Sequence, residues 1–145
     1  MIAFGVIGVL LIIFQWLPTL NVIFLPLLVL LMMLTAAGIG MWLSALAIQY
    51  RDVRHAMTFL SQALMYAAPV VWPVSALTER FGETAGYLYA LYPMAGVIEG
   101  FRAAILGTNP MPWDYIGIGF VSSLLIAVSG AYYFKRMERV FADVA

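Results

Sequence analysis

Few side chains in this 145-residue chain could do acid–base or binding chemistry, and they are grouped. Arg51, Asp52, Arg54 and His55 form one cluster, and Arg51 is the first charged residue in the sequence. Glu99 and Arg102 form another; three apart, they share a face of any helix that carries them. Phe59, Gln62, Tyr66, Pro69 and Pro73 fall on one face by 3.6-residue periodicity. That face mixes aromatic, amide and kinked backbone where a lipid-facing stripe would be Leu, Ile and Val. Prolines in a membrane helix free backbone carbonyls, which are tolerated where protein or a watery cavity satisfies them. Two readings of the face stand: the wall of a translocation path, or interhelical packing with Gln62 bonded to a neighbouring helix. An intramembrane transferase would need acid–base or nucleophilic groups converging at one depth. The single His55 is far along the chain from Glu99, and no stretch resembles a phosphate-binding loop. One histidine and scattered carboxylates make a poor zinc site, and the absence of cysteine excludes disulfides and thiolate ligands.

The elements that position these residues are apolar and long. The chain is 65% hydrophobic and only 10% charged, with mean hydropathy +1.01. A soluble domain carries roughly a quarter charged residues, so this one reads as an all-α integral membrane protein. Zero formal net charge gives no case for nucleic-acid binding. Met1 to Leu17 lacks a basic leader and a small-residue cleavage site, which makes it a span, about 2–17, and not a signal peptide. The chain starts inside hydrophobic sequence, which suggests the C-terminal part of a longer protein. A turn at Pro18 and Thr19 follows, with Asn21 as expected N-cap. Further spans are expected at about 22–48, 56–77 and 113–134. Ala36, Gly40 and Ser44 give the second span a smooth face for close packing, within one subunit or between two. Gly96 and Gly100 form a lone small-xxx-small pair, a weak signal.

Charge sets the topology. Arg51 and Arg54, and Lys135, Arg136 and Arg139 in the tail 135–145, are the two basic clusters, and the positive-inside rule puts both in the cytoplasm. An even number of crossings must separate them. The apolar segment between the last two spans then dips in and returns, as a re-entrant hairpin over about 84–106 broken at Pro93; the alternative is a full fifth crossing with an atypical charge balance. The expectation is four transmembrane helices plus this hairpin, in a single transmembrane domain with both ends cytoplasmic. Glu99 and Arg102 then lie at membrane depth, as gate, hairpin anchor or structural pair.

Taken together, Tyr50-Arg51-Asp52-Val53-Arg54-His55, Phe59, Gln62, the pair Pro69 and Pro73, then Pro93 and Glu99-Gly100-Phe101-Arg102 resemble the permease subunits of bacterial polysaccharide ABC exporters. These are type-2 permeases for lipid-linked O-antigen, capsule or teichoic acid. Tyr92 departs from the pattern, which has asparagine before the proline. The resemblance implies a permease working as a homodimer in the bacterial inner membrane, with a separate ABC ATPase subunit that binds ATP and Mg. No cofactor is expected on this chain, and no bond is made or broken by it. In that setting Phe59 and Tyr66 would offer apolar platforms to sugar rings, and Tyr50, Arg51, Asp52 and Arg54 would order a cytoplasmic loop near the ATPase. The alternatives are a type-2 permease for a drug or another lipid, and an intramembrane transferase.

Overall fold

The computed structural model describes residues 20–50, 52–70, 72–107 and 109–142. The expected first span, 2–17, and Arg51 lie outside the described residues. So does the side chain of Arg54. A 3-10 turn, Leu20–Phe24, leads into α1, Leu25–Gln49. Asn21 sits inside that turn, so it does not act as the N-cap; Phe24 takes the position without a side-chain bond. Pro26 lies in the first turn of α1, where its missing N–H has no helical acceptor to leave unpaired. The remaining helices are α2, Val53–Ala67; α3, Val74–Phe81; α4, Glu83–Ala90; α5, Pro93–Leu106; and α6, Trp113–Ala142.

The stretch expected as one span at 56–77 is two helices. Ala68, preceding a proline, is pushed to an extended conformation (φ −73°, ψ 140°), and α2 stops at Ala67. Pro73, also extended, opens α3. At 15 residues α2 is about 22 Å long, short of the roughly 30 Å of a bilayer core. Gly82 joins α3 to α4 with φ 84° and ψ 168°, a conformation open to little but glycine. Tyr92 precedes α5 and Pro93 occupies its first turn; Gly107 ends it in the left-handed region.

Asn21–Gln49 and Trp113–Glu138 are long and apolar enough to cross a membrane, with mean hydropathies of 2.6 and 1.6. Only 22% and 28% of their most apolar windows are buried within the chain, so most of that surface faces outward, unlike a soluble core helix. The two helices run parallel. Phe24 meets Trp113 edge-on at 4.8 Å, Gly38 abuts Ala127, and Trp42 stacks on Tyr133 at 4.6 Å. Tyr133 also donates to Gln49 Oε1 (3.0 Å). Tyr50 and Lys135 therefore leave the bundle at the same end.

The packed stripe of α1 is Leu28, Leu31, Thr35, Gly38 and Ala45. Gly38 and Gly130 let the two backbones touch: a Cβ on Gly130 would lie 2.6 Å from the Gly38 carbonyl oxygen. Ala36, Gly40 and Ser44, expected to pack, are exposed within this chain. Two residues out of register is about 200° around a helix, enough to turn that stripe outward. Thr35 is buried but satisfied by its own chain, donating to Leu31 O (2.9 Å).

The best-buried element is α5. Pro93, Ala95, Gly96, Val97, Gly100, Ala103 and Ala104 are all enclosed. Added Cβ atoms at Gly96 and Gly119 would meet Tyr115 O (2.5 Å) and Pro93 O (3.2 Å) respectively, so α5 runs antiparallel along the first two turns of α6. Gly100 faces Leu28, and Leu28, Leu31, Val97 and Ile116 form the core where α1, α5 and α6 meet. The small pair Gly96 and Gly100 is thus an internal packing device. Pro93 is level with Gly119, about 9 Å along α6 from Trp113.

Close approach at Gly38 and open space at Gly40 separate two similar substitutions. Gly38→Ala places a Cβ 2.8 Å from the Ala127 backbone and should destabilise by roughly 1–3 kcal/mol. Gly40→Ala meets nothing within 4 Å and should be neutral or stabilising by up to about 1 kcal/mol. Thermal unfolding of the detergent-purified full-length protein distinguishes them.

Candidate functional site

The site is the gap between α2 and α3. Pro69 has no N–H to give Met65 O, and the N–H of Val70 turns to Ala68 O instead (2.8 Å). The break therefore strips partners from the last carbonyls of α2 and from the first N–H groups of α3. Side chains from the α4–α5 hairpin supply them. Tyr89 Oη donates to Ala67 O, and Tyr92 Oη adds a second donor to Leu64 O (3.2 Å), which already accepts Ala68 N (3.1 Å). Arg102 Nη2 donates to Pro69 O (2.8 Å) and reaches Val70 O at 3.4 Å. On the far side of the break, Glu99 Oε1 accepts the backbone N–H of Val74 (2.8 Å), the first residue of α3.

Glu99 and Arg102 are themselves joined, Arg102 Nη1 to Glu99 Oε1 at 2.6 Å. Their side chains are 12% and 22% exposed, so solvent screens the pair only partly. Each charge faces the helix end that suits it. Arg102 meets the carbonyl end of α2, which carries partial negative charge; Glu99 meets the N–H end of α3, which carries partial positive charge. The pair fits this gap because Arg presents two nitrogens at fixed spacing, one for the carboxylate and one for the carbonyls. Pro69, fully buried, sits at the centre. Glu99 accepts two donors through one oxygen, an anchoring role.

The expected site residues are thus divided. Pro69, Pro73, Glu99 and Arg102 come together. Pro93 stands apart as the turn of the hairpin, starting the helix that carries both charges. Phe59, Gln62 and Tyr66 are exposed on α2, Phe59 at 75% and Tyr66 at 82%. No other described helix covers them. Tyr50 and Asp52 are exposed at the opposite end, and Asp52 serves α2 only through its backbone carbonyl, which accepts from His55 N and Ala56 N (both 3.1 Å). Sequence reasoning missed Tyr89 and the hydroxyl of Tyr92. The available signal was their spacing: three apart, they project together toward the broken helix.

Arg102→Ala should lower stability by roughly 1.5–3 kcal/mol for each charged bond lost. Arg102→Lys should recover less than half, because one ammonium cannot serve Glu99 and the Pro69 carbonyl with the same geometry. Tyr92→Phe should cost about 1 kcal/mol. A double-mutant cycle over Glu99→Gln and Arg102→Ala should be non-additive. Thermal unfolding reads all four.

Comparison with known proteins assigns the chain to a family. Residues 1–106 match the family described as ABC-2 type transporter. The chain is 25% identical over 130 residues to an O-antigen export system permease protein of Myxococcus xanthus, covering 89% of this chain and 48% of that protein. It is 20% and 21% identical over 107 residues to two O-antigen export system permease proteins of Klebsiella pneumoniae, covering 74% of this chain and 39% of each of them. The chain thus spans less than half the length of these curated relatives. No solved structure matches it. With the family match covering most of its length, this helical membrane chain belongs to the ABC-2 type transporter family.

Proposed function

We infer that the chain is part of a permease subunit that exports a lipid-linked polysaccharide across the bacterial inner membrane. Its similarity to an O-antigen export permease along 89% of its length, and to two more along 74%, carries this reading. The energy comes from ATP and Mg in a separate ABC ATPase, and two permease copies form the path. In this reading α1 and α6 are crossings. The assembly of α2, the proline break and α3 is the crossing between them, and 2–17 is a fourth. The α4–α5 hairpin enters from the outer face. Its turn at Pro93 stops about 9 Å along α6, a depth suited to a gate. Tyr50, the 51–54 cluster and the tail face the cytoplasm, where the ATPase docks.

Within this arrangement the exposed face of α2 takes the cargo. Phe59 and Tyr66 are large aromatic surfaces with no partner among the described residues, and Gln62 lies between them; such platforms stack on sugar rings without burying a charge.

Two measurements test the reading. In a strain lacking the native gene, the full-length permease should restore surface polysaccharide. Phe59→Ala with Tyr66→Ala should reduce it severalfold at unchanged protein level; unchanged export removes those residues from the path. Single cysteines test the topology, since none is present in these 145 residues. Positions 83 and 109 should react with an impermeant maleimide on intact cells, 54 and 139 only after permeabilisation, and buried Ala95 hardly at all. Labelling of 83 from outside but 109 only from inside would make the hairpin a true crossing.

A further inference from the structure

Beside the anchoring pair lies a cleft of about 210 Å³, bounded by α3, α5, the 109–112 connection and the first turn of α6. Its polar lining comes from Ser75, Thr78, Glu99, Arg102, Asn109 and Tyr115. We propose that this cleft is a binding subsite for a single neutral sugar ring of the exported glycan. The proposal rests on the polysaccharide-export reading and adds a place where the cargo is held.

The charges decide the ligand class. A free Arg at a helix N-terminus would invite a phosphate or carboxylate. Here the Arg102 charge is cancelled by Glu99 at 2.6 Å, and the first N–H of α3 is already taken by the same carboxylate. An anion would find no uncompensated positive charge and would sit against Glu99. A cation would meet Arg102. A neutral polyol suits the lining, which interleaves donors and acceptors. Thr78 Oγ1 spends its proton on Ser75 O (2.8 Å) and keeps its lone pairs. Ser75 and Asn109 are exposed and can both give and accept. Among the described residues, the bonds of Glu99 are all made through Oε1, which leaves Oε2 to accept a hydroxyl. Tyr115 adds an aromatic face beside them.

Size and place agree with one ring. Pockets for drug-sized ligands hold roughly 300–1,000 Å³, and this cleft is smaller and open on one side. It lies at the Trp113 end of α6, opposite Tyr50 and Lys135. In the proposed topology that is the outer face, where a glycan emerges. Glu99 and Arg102 line the cleft, so a ligand held there would contact the groups that hold the broken helix to the hairpin.

The test uses the full-length permease with its ATPase in lipid nanodiscs, any cysteine outside these residues replaced. Pro110→Cys, in the connection that bounds the cleft, reports it through its rate of reaction with N-ethylmaleimide. The probes are the methyl glycosides of glucose, galactose, mannose and rhamnose, with methyl phosphate as the anionic comparison. At about twice its Kd a bound glycoside leaves a third of the sites free, so labelling should slow about threefold. Methyl phosphate should leave the rate unchanged, and Asn109→Ala should abolish the protection. The proposal is overturned if no glycoside slows labelling, if methyl phosphate protects equally, or if protection survives Asn109→Ala. Export of surface polysaccharide by the wild-type permease, measured in parallel, separates the two readings. If export is restored but no glycoside protects, the cleft alone fails. If export is not restored, the exporter reading fails and the cargo assignment of the cleft fails with it.

Discussion

A backbone carbonyl or N–H that loses its helical partner needs another where protein encloses it, and each such group left bare costs about 1–3 kcal/mol. The break between Ala67 and Val74 creates a run of them, and the rest of the described chain is arranged to answer it. Arg102 takes the carbonyls of Pro69 and Val70, Tyr89 takes that of Ala67, and Glu99 takes the N–H of Val74, while Tyr92 adds a second donor to Leu64 O, which already accepts Ala68 N. All four side chains belong to the hairpin. The broken helix is therefore stable only while the hairpin is docked, and the hairpin is docked by the glycine-lined approach of α5 to α6.

This dependence explains why α5, a helix of only 14 residues, holds the best-packed stretch of the described chain. Long apolar helices such as α1 and α6 can leave most of their surface to lipid, because their backbones are satisfied internally. The segment around the prolines has no such independence and needs close protein neighbours. Gly96 and Gly100 on α5, with Gly119 on α6, provide the closeness, while Glu99 and Arg102 on α5 provide the polar contacts. Small residues and an ion pair on α5 are thus one device: the first brings the backbone near, the second makes that nearness hold the break. A change at either would be felt at the other.

Much of this was legible in the sequence. The prolines at 69 and 73 announce a break, Pro93 announces a helix start, and Glu99 with Arg102 reads as a pair because the two are three positions apart. The two basic clusters, by parity, imply that α1 and α6 run the same way, and they do. Other features were not legible, for identifiable reasons. The packed stripe of α1 lies two residues from the Ala36, Gly40 and Ser44 stripe, because small residues mark where close approach is allowed, not which face a partner takes. The length of α2 was overestimated because hydropathy continues through the prolines while helical hydrogen bonding does not. The second role of Glu99, accepting from Val74, spans 25 residues of chain and leaves no periodic trace. Tyr92 stood out in sequence only as a residue replacing asparagine; its hydroxyl acquires meaning once Leu64 is seen opposite it.

The central claim is that the hairpin's side chains, and Arg102 above all, complete the hydrogen bonding of the broken helix. Hydrogen exchange across 68–76, read by mass spectrometry on the full-length permease in nanodiscs, addresses it directly. In the wild type these amides, with Val74 among them, should exchange slowly. In Arg102→Ala they should exchange much faster, while the amides of α6 stay protected. Equal protection of 68–76 in the two proteins would contradict the account, because the break would then be held by something other than the hairpin.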